Sequence, residues 1–374
     1  MIYLDNNATT QASESVLSAV VKYMSKCFSN ASATTAAFTG ADVPRRNAAS
    51  QMAKILNAEE PETFFFTSGA TEANNWVFAS IASTVRTGTI LISSIEHPSV
   101  REPAERLARQ GFNLQLVPVD SHGVVCLEAL GRLLSPDVVL VSIMAANNET
   151  GVLQSIGEIG ELVRDKAPTA LFHTDATQAV GKIAIDLQKE WKEVDLLSFS
   201  AHKFNGPKGV GGLYCRPGID LTPLLVGGGQ EQGARSGTTN TPGLAGLAAA
   251  VDEIELTAFG EVRQKRDYLE QQLLKLAPIL IHSVGVPRLP NTCCFSLPEC
   301  SGDDLVTELA AQGVIVGSGS ACSSGSQEPA QTLLAMGVDY QVALGSIRVS
   351  LGPKTSVEEL DFFLDRLKEN LMSS

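Results

Sequence analysis

The stretch Ser198-Phe199-Ser200-Ala201-His202-Lys203 holds the residue types of covalent imine chemistry. A lysine whose amine is kept neutral can bond an aldehyde cofactor. Hydroxyl and imidazole groups beside it can bind a phosphate. The stretch ends a hydrophobic run, Val194-Asp195-Leu196-Leu197, that reads as a buried strand, and a glycine-rich turn follows from Asn205 to Gly212. A second reactive candidate is Cys322, set in Gly317-Ser318-Gly319-Ser320-Ala321-Cys322-Ser323-Ser324-Gly325. Small residues on both sides resist helix and strand and predict a mobile loop. A thiolate there can act as a nucleophile once a neighbour lowers its pKa or takes its proton, and His97 is the candidate.

Other clusters add parts to such a site. Ser68-Gly69-Ala70-Thr71 follows a strand and opens a helix, so its backbone N–H groups and hydroxyl can hold an anion. A plain N-capped helix explains that motif equally well. Asp175 lies beyond another strand, with Gln178 three residues on. A buried carboxylate there can keep a pyridinium nitrogen protonated; capping the next helix is the other reading. His97 begins a helix, where an imidazole can lie on an aromatic ring and move protons near neutral pH. His122, His173 and His282 read as structural. No G-x-x-x-x-G-K-[ST] loop is present, and Gly227-Gly228-Gly229 lacks the later glycine of a dinucleotide fingerprint.

The chain of 374 residues is 44% hydrophobic and 18% charged, enough for more than one core. A formal charge of −13 argues against nucleic acid, whose phosphates need clustered Lys and Arg. The start, Met1-Ile2-Tyr3-Leu4-Asp5, has no basic region of a signal peptide, and the apolar run from Val138 to Ala146 is too short to span a bilayer. Seven cysteines without a C-x-x-C pair predict reduced thiols and a cytoplasmic protein. Cys293, Cys294 and Cys300 read as strand and loop residues rather than metal ligands, so no metal is expected.

The elements that must position these residues alternate. Short hydrophobic runs at 64–66, 90–92, 114–117, 138–143 and 171–172 predict strands; 100–107 and 156–163 predict amphipathic helices. This is the rhythm of an α/β fold with a mostly parallel sheet. The candidate residues come just after the strands, where such sheets bind ligands. A long helical pattern from Glu253 to Leu276 reads as the bridge to a C-terminal domain.

Taken in order, these motifs resemble the pyridoxal-phosphate-dependent cysteine desulfurases of the aminotransferase class V family, over nearly the whole chain. The resemblance runs through Tyr3 to Thr10, Thr67 to Glu72, Glu96-His97-Pro98, Asn147 to Gly151, His173 to Gln178, Ser200 to Lys203, Gly227 to Glu231, Arg235 to Thr238, Ser318 to Cys322 and Ser346 to Gly352. It implies the type I aminotransferase fold, with a mostly parallel seven-stranded sheet in a large domain and a smaller α+β C-terminal domain. The expected division is residues 1–15 packing with the small domain, 16–255 as the cofactor domain, and 256–374 as the small domain with the cysteine loop.

The resemblance also implies roles. Lys203 links pyridoxal 5′-phosphate, His97 stacks on its ring, Asp175 pairs with the ring nitrogen, and Gln178 contacts the ring hydroxyl. Ala70, Thr71, Ser200 and His202 belong to the cofactor site, the last three on the phosphate. Thr238 reaches the phosphate across a homodimer interface. Asn148 and Arg348 clamp the substrate carboxylate, a task that suits the planar guanidinium fork. L-cysteine frees Lys203, which takes the Cα proton; the Cys322 thiolate then attacks the substrate sulfur, forming a persulfide, and alanine leaves. The run from Cys322 to Pro329 resembles the longer-loop group, which hands sulfur to acceptor proteins such as an iron–sulfur scaffold. A selenocysteine or cystine lyase or aminotransferase of the same fold is the alternative within enzymes, and a non-catalytic docking scaffold the alternative outside them. The chain departs from the pattern at 31–40, which lacks the usual proline and histidine, and at Gln232 and Ala234.

Overall fold

The computed structural model describes all residues except 277, 299, 320–327 and 374. The expected position of Cys322 therefore lies outside the described residues.

The central sheet has seven strands. In spatial order they are Phe64–Thr67, Gly211–Cys215, Leu196–Ser200, Leu171–Asp175, Val138–Ser142, Thr89–Ser93 and Asn113–Val117. Only Gly211–Cys215 runs against its neighbours; every other pairing is parallel. The inner strands are apolar on both faces because helices cover both faces. Period-two alternation shows this directly. Leu91, Val141, Phe172, Leu197 and Phe199 enter one core, and Ile90, Ile92, Leu140, Leu196 and Leu213 enter the other. The strands read from the sequence are all present. The helical pattern is shorter than expected: the helix is Ala258–Leu273, preceded by a turn after the helix Thr241–Asp252. The backbone N–H of Glu253 closes that earlier helix, so 253–257 cannot belong to the next one.

A second core gathers Leu4, Phe295, Ile347, Val349 and Phe363. It packs under a four-stranded sheet that contains Thr292–Ser296 and Ser346–Ser350, and beside a parallel pair in which Ile2–Tyr3 joins Val314–Ile315. Cys293 and Cys294 are consecutive in a strand and point to opposite faces, as read. Burial pushes the Cys294 thiol up to about 12. Among the described residues no helix is long and apolar enough to cross a membrane.

Two features aim the carboxyl ends of these strands at one place. His173 forms a buried rung across three strands, its Nδ1 2.8 Å from Ser142 Oγ and its Nε2 3.0 Å from Ser198 Oγ. That rung fixes the strand two residues before Asp175. Gly211 allows its strand to approach the turn before the helix Ala70–Thr84: a Cβ there would lie 2.7 Å from Gly69 Cα and 2.4 Å from Phe199 O.

Candidate active site

Ala70, Thr71, His97, Asn148, Asp175, Gln178, Ser200, His202, Lys203 and Arg348 line one cavity of about 320 Å³. They come from strand ends and helix starts spread over 279 positions of chain, from residue 70 to residue 348. Thr238 is exposed and does not line it.

At one end the helix Ala70–Thr84 points its N-terminus into the cavity. The Ala70 N–H donates to Ser200 Oγ at 2.8 Å, so strand end and helix start are locked together. Unpaired N–H groups of a first helical turn and the aligned peptide dipoles favour an anion here. His202 Nδ1 lies 3.1 Å from Thr9 Oγ1. Burial, then the charge of Lys203, brings the His202 imidazole down to about 4, so it serves as a neutral hydrogen-bonding group.

Asp175 is 6% exposed and held at both oxygens. Oδ1 accepts the Thr177 N–H at 2.9 Å within a turn; residues 176–182 form turns and not a helix, so the helix-capping alternative does not hold. Oδ2 accepts from Asn74 Nδ2 at 2.8 Å. The same Asn74 nitrogen donates to Ser99 Oγ at 2.9 Å, and Ser99 Oγ lies 2.8 Å from His97 Nδ1. The Ser99 N–H also donates to His97 Nδ1, at 3.1 Å, so this nitrogen is an acceptor and carries no proton. Pro98 at the first helical position sets the cap geometry that places the ring. Burial lowers the His97 pKa, opposed by Asp175. The two residues read separately from the sequence are thus joined through Asn74 and Ser99.

Lys203 Nζ donates to the carbonyls of Asn7 at 2.6 Å and Ala8 at 2.7 Å. Asn7 is a hub: its N–H donates to Ser350 Oγ, and its Nδ2 to Thr292 Oγ1 and Asn148 O. Arg348 is 4% exposed; its Nη2 donates to Asp5 Oδ1 at 2.6 Å and its Nη1 to Asn148 O at 3.2 Å. Gly317 admits the guanidinium, since a Cβ there would lie 2.7 Å from Arg348 Nη2. Arg348 Nε is buried with no partner, and the two named hydrogen bonds use only two of the five guanidinium N–H groups, so donors remain for a ligand.

Residues 2–363 match the aminotransferase class-V family. The chain belongs to that family. A curated relative, "Cysteine desulfurase IscS" of Clostridium botulinum, is 37% identical over 98% of this chain and 93% of its own length. A "Cysteine desulfurase" of Klebsiella pneumoniae is 40% identical over 98% of this chain and 91% of its own length. A solved structure titled "NIFS-LIKE PROTEIN" superposes with a TM-score of 0.92 at 39% identity, covering all of both chains. The fold is the type I aminotransferase fold.

Class-V aminotransferase proteins use pyridoxal 5′-phosphate, and the residues present fit it. The cavity has an anion site at a helix N-terminus, a buried carboxylate 175 for a ring nitrogen, and an amine 203 for an aldehyde. Thr177 Oγ1 is buried without a partner beside Asp175, as expected of a wall that a polar ligand completes. The polar residues that the sequence reading missed are Asp5, Asn7, Asn74, Ser99 and Lys182. Asn7 lies in the quoted 3–10 stretch; Asn74 gave no signal, being one polar residue inside a helix.

A second cavity of about 300 Å³ adjoins His97 in this class-V site and is lined by Glu96, Glu149, Gly319 and Glu328 among others. Glu96 Oε1 accepts from Ser93 Oγ at 2.5 Å and from the Met144 N–H at 2.7 Å, whereas Oε2 has no partner. Burial raises its pKa from 4.5 to about 8. The unfolded chain ionises this group first as pH rises, so the native state holds the extra proton between those values. Stability is complete below the lower value and is lost as pH climbs through the upper one. Glu96→Gln keeps the accepting oxygen and removes the charge. We expect equal stability of variant and wild type at pH 4, and a variant more stable by about 5 kcal/mol at pH 9, read by denaturant unfolding. A difference that does not change with pH would refute the buried neutral carboxyl.

Proposed function

We propose that the protein is a pyridoxal-phosphate-dependent L-cysteine desulfurase that releases alanine and passes sulfur from Cys322 to acceptor proteins. One observation carries this reading: a lysine amine, an aspartate–histidine pair and a buried arginine face the same cavity in a chain whose curated relatives are named cysteine desulfurases. When bound, the cofactor withdraws electrons from the substrate α-carbon. Lys203 holds it in place and, once released, takes the Cα proton. Asp175, held by Asn74 and Thr177, keeps its charge directed at the ring nitrogen. His97 covers the ring, and Arg348 takes the substrate carboxylate. The Cys322 thiolate accepts the sulfur atom as a persulfide, and the substrate carbon leaves with the bonding electron pair and a proton as alanine. The iron–sulfur scaffold class is the acceptor that the resemblance favours.

A homodimer belongs to the same proposal. Leu17, Val21, Met24 and Phe28 are 54%, 58%, 67% and 75% exposed at helical spacing on and just beyond Glu14–Ser25. Such a stripe marks a covered face. The exposed Thr238 then serves the partner's phosphate site. We further propose the division into 16–255 and 256–374 with residues 1–15 on the latter, supported by the pairing of Ile2 with Val314 and the bridge of Asp5 with Ser350. A cytoplasmic location is supported by six free cysteines among the described residues.

The test is quantification of alanine and sulfide from L-cysteine by the purified protein with added thiol. Equimolar products support the reading, and no alanine overturns it. Arg348→Met gives a narrower check. It removes a charge-assisted grip on the substrate carboxylate, so kcat/KM for L-cysteine should fall about 10²–10³-fold. It also strands Asp5 beside the cavity, at a cost of about 3 kcal/mol in stability. Adding Asp5→Asn should recover stability and leave kcat/KM low. Recovery of both would assign Arg348 a purely structural part.

A further inference from the structure

A second lysine lies in the wall of the site. Lys182 is 5% exposed. Its Nζ donates to Gln178 Oε1 at 2.6 Å and to Asn7 Oδ1 at 3.1 Å. The amide orientations follow from their other partners. Gln178 Nε2 donates to the backbone oxygen of Asn7 at 2.9 Å, and Asn7 Nδ2 donates to the backbone oxygen of Asn148 at 3.2 Å. A backbone oxygen only accepts, so both amide oxygens must turn toward Lys182. Asn7 O also accepts from Lys203 Nζ at 2.6 Å. The Gln178 amide group and the Lys203 amine therefore share one oxygen and are neighbours.

We propose that Lys182 is a positioning residue: it holds the Gln178 carboxamide oxygen away from the cavity and keeps the NH₂ group beside Lys203, facing a bound cofactor. This rests on the cofactor reading above. The ring hydroxyl of pyridoxal phosphate is carried on the carbon adjacent to the one bearing the aldehyde. A group next to Lys203 is therefore next to that hydroxyl oxygen. One Gln178 N–H is committed to Asn7 O, and the second is available to the ring oxygen. A donor there stabilises the oxygen as an anion and weakens its hold on the proton shared with the Lys203 linkage. Without Lys182 the Gln178 oxygen loses its partner, and the amide is free to turn and present an acceptor instead. Burial, then the charges of Lys203 and Arg348, holds the Lys182 amine well below its ordinary range. Its N–H groups supply two donated hydrogen bonds, to Gln178 and Asn7.

The readout is the pH midpoint of the visible absorbance band of the cofactor-loaded protein, measured for wild type, Lys182→Met, Gln178→Ala and the double variant. Both single changes should raise the midpoint by about one unit. The double variant should shift no further than either single one, because the lysine acts through the glutamine. Lys182→Gln, which keeps a donating group, should return most of the Lys182→Met shift. Lys182→Leu, which likewise offers no donor, is the second variant should methionine prevent folding, with the same expected shift. A Lys182 variant with the wild-type midpoint, beside a shifted Gln178→Ala, overturns the proposal, and so do additive shifts. Wild-type protein in which borohydride fixes no cofactor on Lys203 overturns the cofactor reading instead, so the two failures are told apart.

Discussion

Lys203→Ala should form alanine from L-cysteine at least about 10⁴-fold more slowly than wild type while remaining folded. The amine has two tasks, tethering the cofactor and taking the Cα proton, and no neighbouring group can supply both. His202 is brought down to about 4 by burial and adjacent positive charge. Lys182 is enclosed and committed to Gln178 and Asn7. Folding should survive because the hydrogen bonds from Lys203 to the Asn7 and Ala8 carbonyls are worth about 1–2 kcal/mol together once water replaces the amine. Borohydride reduction with peptide mapping supplies the second measurement: wild type should carry the adduct on residue 203 and the variant should carry none. Turnover within tenfold of wild type would remove Lys203 from the chemistry.

Cys322→Ser should stop sulfur release and lower alanine formation by more than about 10³-fold, yet leave the visible band of the bound cofactor unchanged. A thiolate attacks sulfur readily, whereas a serine hydroxyl keeps its proton near neutral pH and cannot hold a persulfide. The colour should persist because the hydrogen bonds of Lys203 to Asn7, of Asp175 to Asn74 and of His97 to Ser99 do not involve residue 322. The described residues closest in sequence to Cys322 on either side, Gly319 and Glu328, line the cavity beside His97, whereas Lys203, Asn7 and Ala8 line the other cavity. Stopped-flow spectra should therefore show normal binding of L-cysteine followed by a stall. Full alanine production by this variant would mean that sulfur leaves by a route without a protein thiol.

The catalytic outline was legible because chemistry sits at strand ends. A parallel sheet buried on both faces writes itself as short apolar runs, and the polar residue after each run has one place to go. Lys203 after 196–200, Asp175 closing 171–175 and His97 after 89–93 were read that way. The supporting layer was illegible for a matching reason. Asn74 sits on a helix and looks like any polar helical residue until it meets Asp175, 101 positions later. Ser99 and Lys182 likewise carry no local signal of what they contact. Their work depends on contacts between distant segments, which periodicity does not encode. The 253–276 pattern was overextended because charged residues suit a turn as well as an exposed helical face.

The carbonyl beneath Lys203 belongs to residue 7, and residue 7 is itself anchored by Ser350, 343 positions downstream. The seat of the amine is therefore shared between distant segments: residue 7 meets Gln178 and Lys203 on one side and Ser350 on the other. A chain that stopped short of Ser350 would keep the carbonyls that receive the lysine but lose the hydroxyl that fixes their backbone.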